Sequence, residues 1–304
     1  MLEKPITPHL WFDTQAREAA ELYVSLCPDS RIDHVTVIRD TPSGDCDVVS
    51  FTVRGQPFMA ISAGPLFRFN PSVSFFLHFD PEREPQAREQ LDIAWAKLVD
   101  GGQVLMELGE YPFSKRYGWV QDRFGLSWQL FLAGPGGEER PPVVPSFLFT
   151  GDVYGQAEAA GEYWRGVFED SRAGQLMRYG QASPHDRADA VMYSDFRLGP
   201  TWFAAMDSGY EHGFAFNEAG SFIVHCRDQA EIDRYWAKLS AVPEAEQCGW
   251  CKDRFGLSWQ VTPLVLDELM TRGDRDTVDR VTRAFLDMHK LDVAAIEKAA
   301  QPSG

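Results

Sequence analysis

The chain has 304 residues, of which 44% are apolar, and its nine tryptophans and twenty-one phenylalanines supply enough material for two packed cores. Forty-five acidic and twenty-nine basic residues give a formal net charge of −16, which repels phosphate backbones and anionic lipid. We therefore expect no nucleic-acid partner and no membrane partner.

Hydrophobic periodicity in the first half predicts a strand, a helix and three strands, and then the same order again. The predicted elements are a strand at 8–12, a helix at 16–26, strands at 32–39, 48–54 and 58–63, a strand at 73–79, a helix at 86–99, and strands at 103–108, 118–121 and 126–132. Residues 264–301 are predicted to form two helices interrupted near Gly273, with an apolar stripe that docks on a domain face.

The second half repeats the first. Residues 118–129 recur as residues 249–260 with ten of twelve positions identical, and shorter matches upstream keep the same order. The turn-rich segment between the copies is typical of a domain boundary. We predict a first domain at 1–133, a linker at 134–144, a second domain at 145–263 and a helical tail at 264–304.

The βαβββ order, the stretch from Asp122 to Gln129 with its repeat, and residues 283–292 together resemble the vicinal-oxygen-chelate superfamily, which includes glyoxalase I and extradiol dioxygenases. Within it they resemble the PhnB-like branch, which often carries the label 3-demethylubiquinone-9 3-methyltransferase. The resemblance covers almost the whole chain. It implies an α+β fold with two tandem glyoxalase-like domains, each of two βαβββ modules forming a cup-shaped sheet, followed by the helical tail.

The resemblance also implies where a metal ion would lie, because the superfamily usually holds one with residues on the first and last strands of a module. The glutamate of the last strand is replaced by Gln129 in one half and by Gln260 in the other, and a neutral amide is a poor ligand for zinc, iron or manganese. His9 lies near the family's histidine position, but its counterpart is Ser146, and the next module presents Ser74. We therefore expect no metal ion and no other cofactor.

The methyltransferase label finds no support in the sequence. No glycine-rich loop lies between a strand and a helix with an acidic residue about 20 positions later, as adenosyl cofactors on Rossmann-like sheets require. We expect no binding of S-adenosylmethionine.

Side chains alternate between the two faces of a strand, which divides the closing strand of each half into two roles. Trp128 and Trp259 should lie under the helices, while Gln129 and Gln260 should face the cups. Replacing Trp128 should therefore destabilise the fold, and replacing Gln129 should leave stability nearly unchanged.

The candidate ligand-binding residues are those expected on a cup face or at a cup mouth: His9, Trp11, Ser74, Phe76, Lys115, Arg116, Trp119, Ser127, Gln129, Ser146, Ser221, Trp250, Ser258 and Gln260. Lys115 and Arg116 belong to a stretch that the second half mostly lacks, and this stretch either closes over an anionic or aromatic ligand or forms a plain solvated loop. His78 and His225 form a matched pair at strand ends, where a hydrogen-bonded structural histidine is favoured over a catalytic one.

These patterns favour a protein that binds a small organic molecule in one or both cups without a full metal site. The alternatives are a metal-dependent lyase, isomerase or dioxygenase, and a scaffold whose cups are filled by its own side chains. The missing signal-peptide pattern, the lack of a long apolar stretch and the five cysteines predict a cytoplasmic protein with reduced thiols, either monomeric or a homodimer.

Overall fold

A computed structural model describes residues 6–136 and 139–301 of the chain. Residues 1–5 of the predicted first domain, 137–138 of the predicted linker and 302–304 of the predicted tail lie outside the described residues.

Three of the four predicted modules have the complete βαβββ order. The first contains β1 (Thr7–Phe12), α1 (Ala16–Ser25), β2 (Arg31–Thr41), β3 (Gly44–Val53) and β4 (Gln56–Ser62). The second contains β5 (Val73–Phe79), α2 (Ala87–Val99), β6 (Gln103–Tyr111), β7 (Ser114–Gln121) and β8 (Ser127–Leu132). The third contains β9 (Val143–Phe149), α3 (Ala157–Val167), β10 (Arg172–Arg178), β11 (Val191–Leu198) and β12 (Thr201–Asp207).

The fourth module is one strand shorter than predicted. It contains β13 (Gly220–Cys226), α4 (Gln229–Leu239), β14 (Trp250–Lys252) and β15 (Ser258–Pro263). Ten residues separate the end of α4 from β14, and they form a short 3-10 turn, so no room is left for a counterpart of the nine-residue strand β6.

The tail occupies the place that this missing strand leaves. It forms three helices, α5 (Leu264–Arg272), α6 (Arg275–Leu286) and α7 (Val293–Ala300), where two were predicted. The N–H groups of Cys248 and Gly249 donate to the carbonyls of Met288 and His289, each at 2.7 Å, so tail backbone satisfies the donors just before β14. Within the described ranges, no helix combines the length and apolar character needed to cross a membrane.

The α+β class and the tandem glyoxalase-like architecture are confirmed, but the modules pair across the halves and not within each half. The first and fourth modules form a seven-stranded sheet of order β14-β15-β13-β1-β4-β3-β2. The second and third form an eight-stranded sheet of order β10-β11-β12-β9-β5-β8-β7-β6. Antiparallel pairing of first strands joins the modules, with His9 opposite Ser221 in one sheet and Ser74 opposite Ser146 in the other.

The reason for this pairing is that the two modules of one half bury their helix-bearing faces against each other. Phe58 of β4 contacts Phe75 of β5 with ring centroids 5.1 Å apart, and Tyr23 of α1 contacts Trp128 of β8 at 5.0 Å. The corresponding rings of the second half continue the same core. The modules of one half therefore lie in different sheets, and the first strands are left to pair with the other half.

We define cup A as the face of the seven-stranded sheet that points away from this shared core, and cup B as the corresponding face of the eight-stranded sheet. Each cup contains strands from both halves of the chain.

A buried carboxylate organises the repeated stretch in each half. Asp122 accepts hydrogen bonds from the N–H groups of Phe124 and Leu126, which tightens the turn where Gly125 has a φ of +90°, and also from Trp128 Nε1 at 3.0 Å. Burial raises the pKa of Asp122 to about 6. Asp253 repeats these contacts, and Trp164 Nε1 also donates to it at 2.8 Å.

Trp128→Ala should lower the free energy of unfolding by about 3–5 kcal/mol, because the ring is fully buried among Tyr23, Phe58 and Phe75. Trp128→Phe should cost less, because it keeps most of the packing and removes the indole donor to Asp122. Ile93→Ala on the outer face of α2 is the control and should change stability by less than about 0.5 kcal/mol. Urea unfolding of the three variants is the measurement, and a Trp128→Ala cost no larger than that of the control would contradict the assignment.

Candidate functional site

Cup A brings together the predicted residues His9, Trp11, Ser221, Trp250, Ser258 and Gln260. The backbone register sets their positions: Ser221 lies opposite His9 on one side and Ser258 on the other, and Gln260 lies opposite Trp250. Gln260 Nε2 donates to Ser221 Oγ at 3.0 Å. The amide is therefore held by a hydroxyl, in the face where the sequence predicted it.

Aromatic and apolar side chains surround this polar set. The ring of Trp250 meets His9 edge to face at 5.3 Å, and Trp11 at 6.2 Å. Trp11 also packs against Phe67, and its Nε1 donates to the carbonyl of Gly64 at 2.8 Å. The loop after β4 therefore covers one end of cup A.

The tail forms another wall of cup A. Met270 of α5 packs on the apolar cluster of Ile38, Cys46 and Ala63, and its carbonyl accepts a hydrogen bond from Thr36 Oγ1 at 3.3 Å. The predicted docking of the tail on a domain face is what the structure shows.

Cup B brings together the predicted residues Ser74, Phe76, Trp119, Ser127, Gln129 and Ser146. Tyr117 Oη donates to Gln129 Oε1 at 2.6 Å, and Gln129 Nε2 donates to Ser74 Oγ at 2.9 Å. Trp119 Nε1 donates to Ser127 Oγ at 2.7 Å. Most polar groups of this cup are therefore bonded to one another.

An ion pair at the end of cup B went unnoticed in the sequence. Arg140 Nε donates to Asp195 Oδ2 at 2.7 Å, Tyr193 Oη donates to the same oxygen at 3.2 Å, and both charged side chains are more than nine-tenths buried. The guanidinium of Arg140 also lies 4.2 Å from the ring centre of Trp202. Arg140 and Asp195 are 55 positions apart in the sequence, and no motif links them.

The network changes the expectation for Gln129. The sequence predicted that its replacement would leave stability nearly unchanged, but its amide is buried and bonded to both Tyr117 and Ser74. Removing the amide of Gln129 leaves the buried hydroxyls of Tyr117 and Ser74 without a partner. Each such group lowers the free energy of unfolding by about 1–3 kcal/mol. Gln129 is therefore a structural residue of cup B as well as a cup-facing one.

The two cups differ most in the size of their apolar side chains. Phe76 lies opposite Gln129 in cup B, where Ile223 lies opposite Gln260 in cup A. Likewise Phe131 of cup B corresponds to Thr262 of cup A, by their positions opposite His78 and His225. Tyr117 and Cys248 occupy equivalent places just before the Gly-Trp of the repeat. At these three positions cup B has aromatic rings where cup A has isoleucine, threonine and cysteine.

Lys115 and Arg116 do not line a cup. They belong to β7, which forms a tight hairpin with β6 and no separate loop over the mouth. Arg116 Nε donates to Asp92 of α2 at 2.6 Å, because strand alternation turns it to the helix side while Tyr117 faces the cup. Lys115 is exposed and pairs with Glu110. Arg116 was predicted on a cup face and lies instead on the helix side, and Lys115 lies at the exposed hairpin end of β7.

His78 and His225 have the structural contacts that the sequence favoured. His78 Nδ1 lies 3.1 Å from the carbonyl of Pro141, and burial lowers its pKa to about 4. His225 Nε2 lies 2.9 Å from Thr7 Oγ1, and its Nδ1 lies 2.9 Å from Asp267 of α5. The second histidine therefore links the tail to the sheet.

The donor set of neither cup fits a divalent transition metal. Around the register position of His9, cup A offers hydroxyls and an amide, the β4 residue opposite His9 is Met59, and the second imidazole of this face, His225, is bonded to Thr7 and Asp267. In cup B the place of the imidazole is taken by Ser146, and Ala204 lies beside it. Within residues 6–136 and 139–301, no three His, Cys, Asp or Glu side chains form a group able to hold a metal ion.

Two concavities outside the cups are less suited to a specific ligand. One, of about 560 Å³, is a shallow groove along α2 lined mainly by exposed polar side chains around Ile93. The other, of about 250 Å³, lies where the β3–β4 turn, Pro141–Pro142 and the β11–β12 turn meet. Neither contains an unpartnered buried polar atom.

Sequence reasoning missed a second charged pair, at the mouth of cup A. Lys252 Nζ lies 2.7 Å from Glu218 Oε1. One signal was available: Gln121 and Lys252 occupy one of the two positions at which the twelve-residue copies differ.

A family model described as 3-demethylubiquinone-9 3-methyltransferase matches the chain twice, over residues 4–131 and 141–262. No curated protein matches the chain. A solved structure described as a putative 3-demethylubiquinone-9 3-methyltransferase, PhnB protein, from Bacillus cereus is 36% identical, over 43% of this chain and 100% of its own, with a TM-score of 0.38. Glyoxalase I from Zea mays is 10% identical, over 89% of this chain and 96% of its own, with a TM-score of 0.53, a likeness that shows the fold alone.

The family model covers both copies of the repeat and most of the chain. The chain therefore belongs to the PhnB-like family that carries the 3-demethylubiquinone-9 3-methyltransferase name, within the glyoxalase-type fold.

Proposed function

We propose that the protein binds a small organic molecule in cup A, and that cup B has become a filled structural counterpart. The observation that carries the proposal is the contrast in hydrogen bonding between the two cups. In cup A, His9 Nδ1, Ser258 Oγ and Thr262 Oγ1 are buried and find no hydrogen-bond partner among the described residues. In cup B, the described residues leave Ser146 Oγ without a partner and, at the β11–β12 end of the face, Arg197 Nε.

Unpartnered buried polar atoms are costly, at about 1–3 kcal/mol each, so a cup that only had to be stable would satisfy or replace them. Ser127 of cup B accepts a bond from Trp119, whereas the equivalent Ser258 has a free hydroxyl facing the same way. A ligand with two or more polar groups would restore the missing bonds. This is how binding pockets fix the orientation of a ligand within an apolar lining.

His9 contributes as a neutral group. Burial lowers its pKa to about 3, so the imidazole carries no charge at neutral pH and offers one donor and one acceptor. Its ring is held against Trp250. A neutral imidazole beside indole rings suits a polar and partly aromatic ligand.

The structure bears differently on the two alternative functions that the sequence left open. A scaffold with filled cups describes cup B well, because its rings and hydrogen-bonded side chains occupy the face. We do not propose a metal-dependent lyase, isomerase or dioxygenase, because the described residues contain no group of three His, Cys, Asp or Glu side chains that could hold a metal ion. The methyltransferase name belongs to the family model, and we infer no methyl transfer from it. A cytoplasmic location is part of the proposal and is consistent with five free thiols, which suit a reducing compartment.

The ligand is sought by a thermal-shift screen of metabolites, since a ligand that binds the native state raises the apparent melting temperature by mass action. S-adenosylmethionine is included, and we expect no saturable shift from it.

Ser258→Ala and Ser127→Ala should have opposite effects on binding and stability. Ser258→Ala should weaken binding of a compound identified by the screen about fivefold to tenfold, because one hydrogen bond is lost, and should leave stability unchanged or slightly raised. Ser127→Ala should leave binding unchanged and lower the free energy of unfolding by about 1 kcal/mol, because Trp119 Nε1 loses its acceptor. Calorimetric titration and urea unfolding measure the two effects.

The result that would overturn the choice of cup A is the reverse pattern, in which Ser127→Ala weakens binding and Ser258→Ala does not. A screen in which no compound shifts the wild type, together with an Ile223→Phe variant that is more stable than the wild type, would favour a filled cup A.

The protonation of His9 predicts a pH dependence of stability. In the unfolded chain His9 is protonated below a pKa near 6.5, whereas in the folded protein it stays neutral down to about pH 3. The free energy of unfolding should therefore fall as the pH falls through this window. His9→Ser, which copies Ser146, should reduce that slope by up to about 1.4 kcal/mol per pH unit. Urea unfolding between neutral and acidic pH compares the two proteins, and parallel profiles would show that His9 does not titrate as described.

Purified protein should contain no stoichiometric zinc, iron or manganese, because Gln129, Gln260 and Ser146 replace the charged or imidazole ligands that such a site needs. Elemental analysis after exposure to each metal, followed by desalting, is the measurement. One retained equivalent that is lost in a Gln260→Ala variant would restore the metal-dependent enzyme as the leading function.

A further inference from the structure

The ion pair at the mouth of cup A lies next to the unpartnered hydroxyl of Ser258. Lys252 is directly opposite Ser258 in the β14–β15 register, and Cys251 between Trp250 and Lys252 is buried in the shared core. Alternation therefore turns Lys252 to the same face as Trp250. Its side chain and that of Glu218 are each about a quarter exposed, at 22% and 25%.

The two partners of this pair are anchored differently. Lys252 is on a strand of the cup itself, whereas Glu218 is on the loop that leads into β13 and lies outside any helix or strand. A ligand can replace a carboxylate on a loop without disturbing the sheet. Lysine offers three N–H donors and Ser258 offers one O–H, so this end of the cup is rich in donors.

Cup B has nothing comparable at this position. The residue equivalent to Lys252 is Gln121, whose amide donates to the carbonyl of Gly125 at 2.8 Å, and Pro71 occupies the place of Glu218. The charged pair is therefore a feature of the cup that also has the unpartnered polar atoms.

We propose that cup A takes a small carboxylic acid, with its carboxylate on Lys252 Nζ and Ser258 Oγ and its apolar or aromatic body against Trp11 and Trp250. This inference rests on the proposed function, because it names the class of ligand for the same site. The carboxylate takes the place of Glu218 as the partner of Lys252. A charged hydrogen bond to lysine in a half-buried place is stronger than a neutral one, which selects an acid over the corresponding amide.

The test uses two probes of the same shape, phenylacetate and phenylacetamide, titrated calorimetrically into the full-length protein. Phenylacetate should bind at least about tenfold more tightly than phenylacetamide. Lys252→Gln, which copies Gln121, should remove this preference, and Glu218→Gln should strengthen phenylacetate binding because it removes the competing carboxylate. Gln121→Lys in cup B is the matched control and should leave both affinities at the wild-type value.

Two further readouts locate the binding and verify the variants. The indole N–H signal of Trp250, assigned with a Trp250→Phe variant, should shift on addition of phenylacetate in a heteronuclear NMR spectrum. Lys252→Gln should unfold at nearly the wild-type temperature, because the glutamine amide keeps a donor for Glu218 at this partly exposed site.

The outcomes separate the two levels of the proposal. Equal affinity for the acid and the amide, with Lys252→Gln unchanged, would overturn the charge assignment while leaving cup A as a binding site. Failure of both probes to bind at millimolar concentration would overturn the carboxylic acid class, while the serine variants and the metabolite screen still decide whether cup A binds a ligand at all.

Discussion

The structure depends on the fact that each module has two surfaces to bury, a helix-bearing face and the edge of its first strand. The face packs against the other module of the same half, through Tyr23 and Trp128 in the first half and through Trp164 and Trp259 in the second. The edge then pairs with the opposite half, β1 with β13 and β5 with β9. Neither half can form a cup alone, and the two loops that cross between the sheets are tied together, since Asn70 Nδ2 donates to Ala215 and Asn217 Nδ2 donates to Arg68.

Local patterns in the sequence predicted local structure well. Alternation on the closing strand placed Trp128 in the core and Gln129 in a cup, and β5 has the predicted bounds, because both depend on neighbours a few residues apart. The partner of each module could not be predicted in the same way. His9 shares a cup with Gln260 and not with Gln129, and that choice depends on strand pairing across more than 200 residues. Arg116 was assigned by its charge, and strand alternation, which the sequence also contains, turns it away from the cup.

Duplication gave two cups with the same central strand pairing, and the side chains then made them different. Aromatic rings and hydrogen-bonded partners stabilise cup B, while cup A retains smaller apolar side chains and polar atoms without partners. A core under selection for stability alone tends to lose such atoms, whereas binding sites retain them at some cost in stability. Gln121 and Lys252 show this at one position: the glutamine amide bonds within its own turn, whereas the lysine forms an ion pair with a residue of a neighbouring loop.

The completion of cup A by the end of the chain has a consequence for synthesis on the ribosome. All strands of cup B lie between residues 73 and 207, so that sheet can form before the last quarter of the chain has emerged. Cup A must wait, because β1 at the start of the chain pairs with β13, and the N–H groups next to β14 are satisfied only by residues 288 and 289. During this interval the edge of β1 is unpaired and the nascent first module is open to association with other chains. Pairing with β13 ends that period, and docking of the helical tail then completes the sheet.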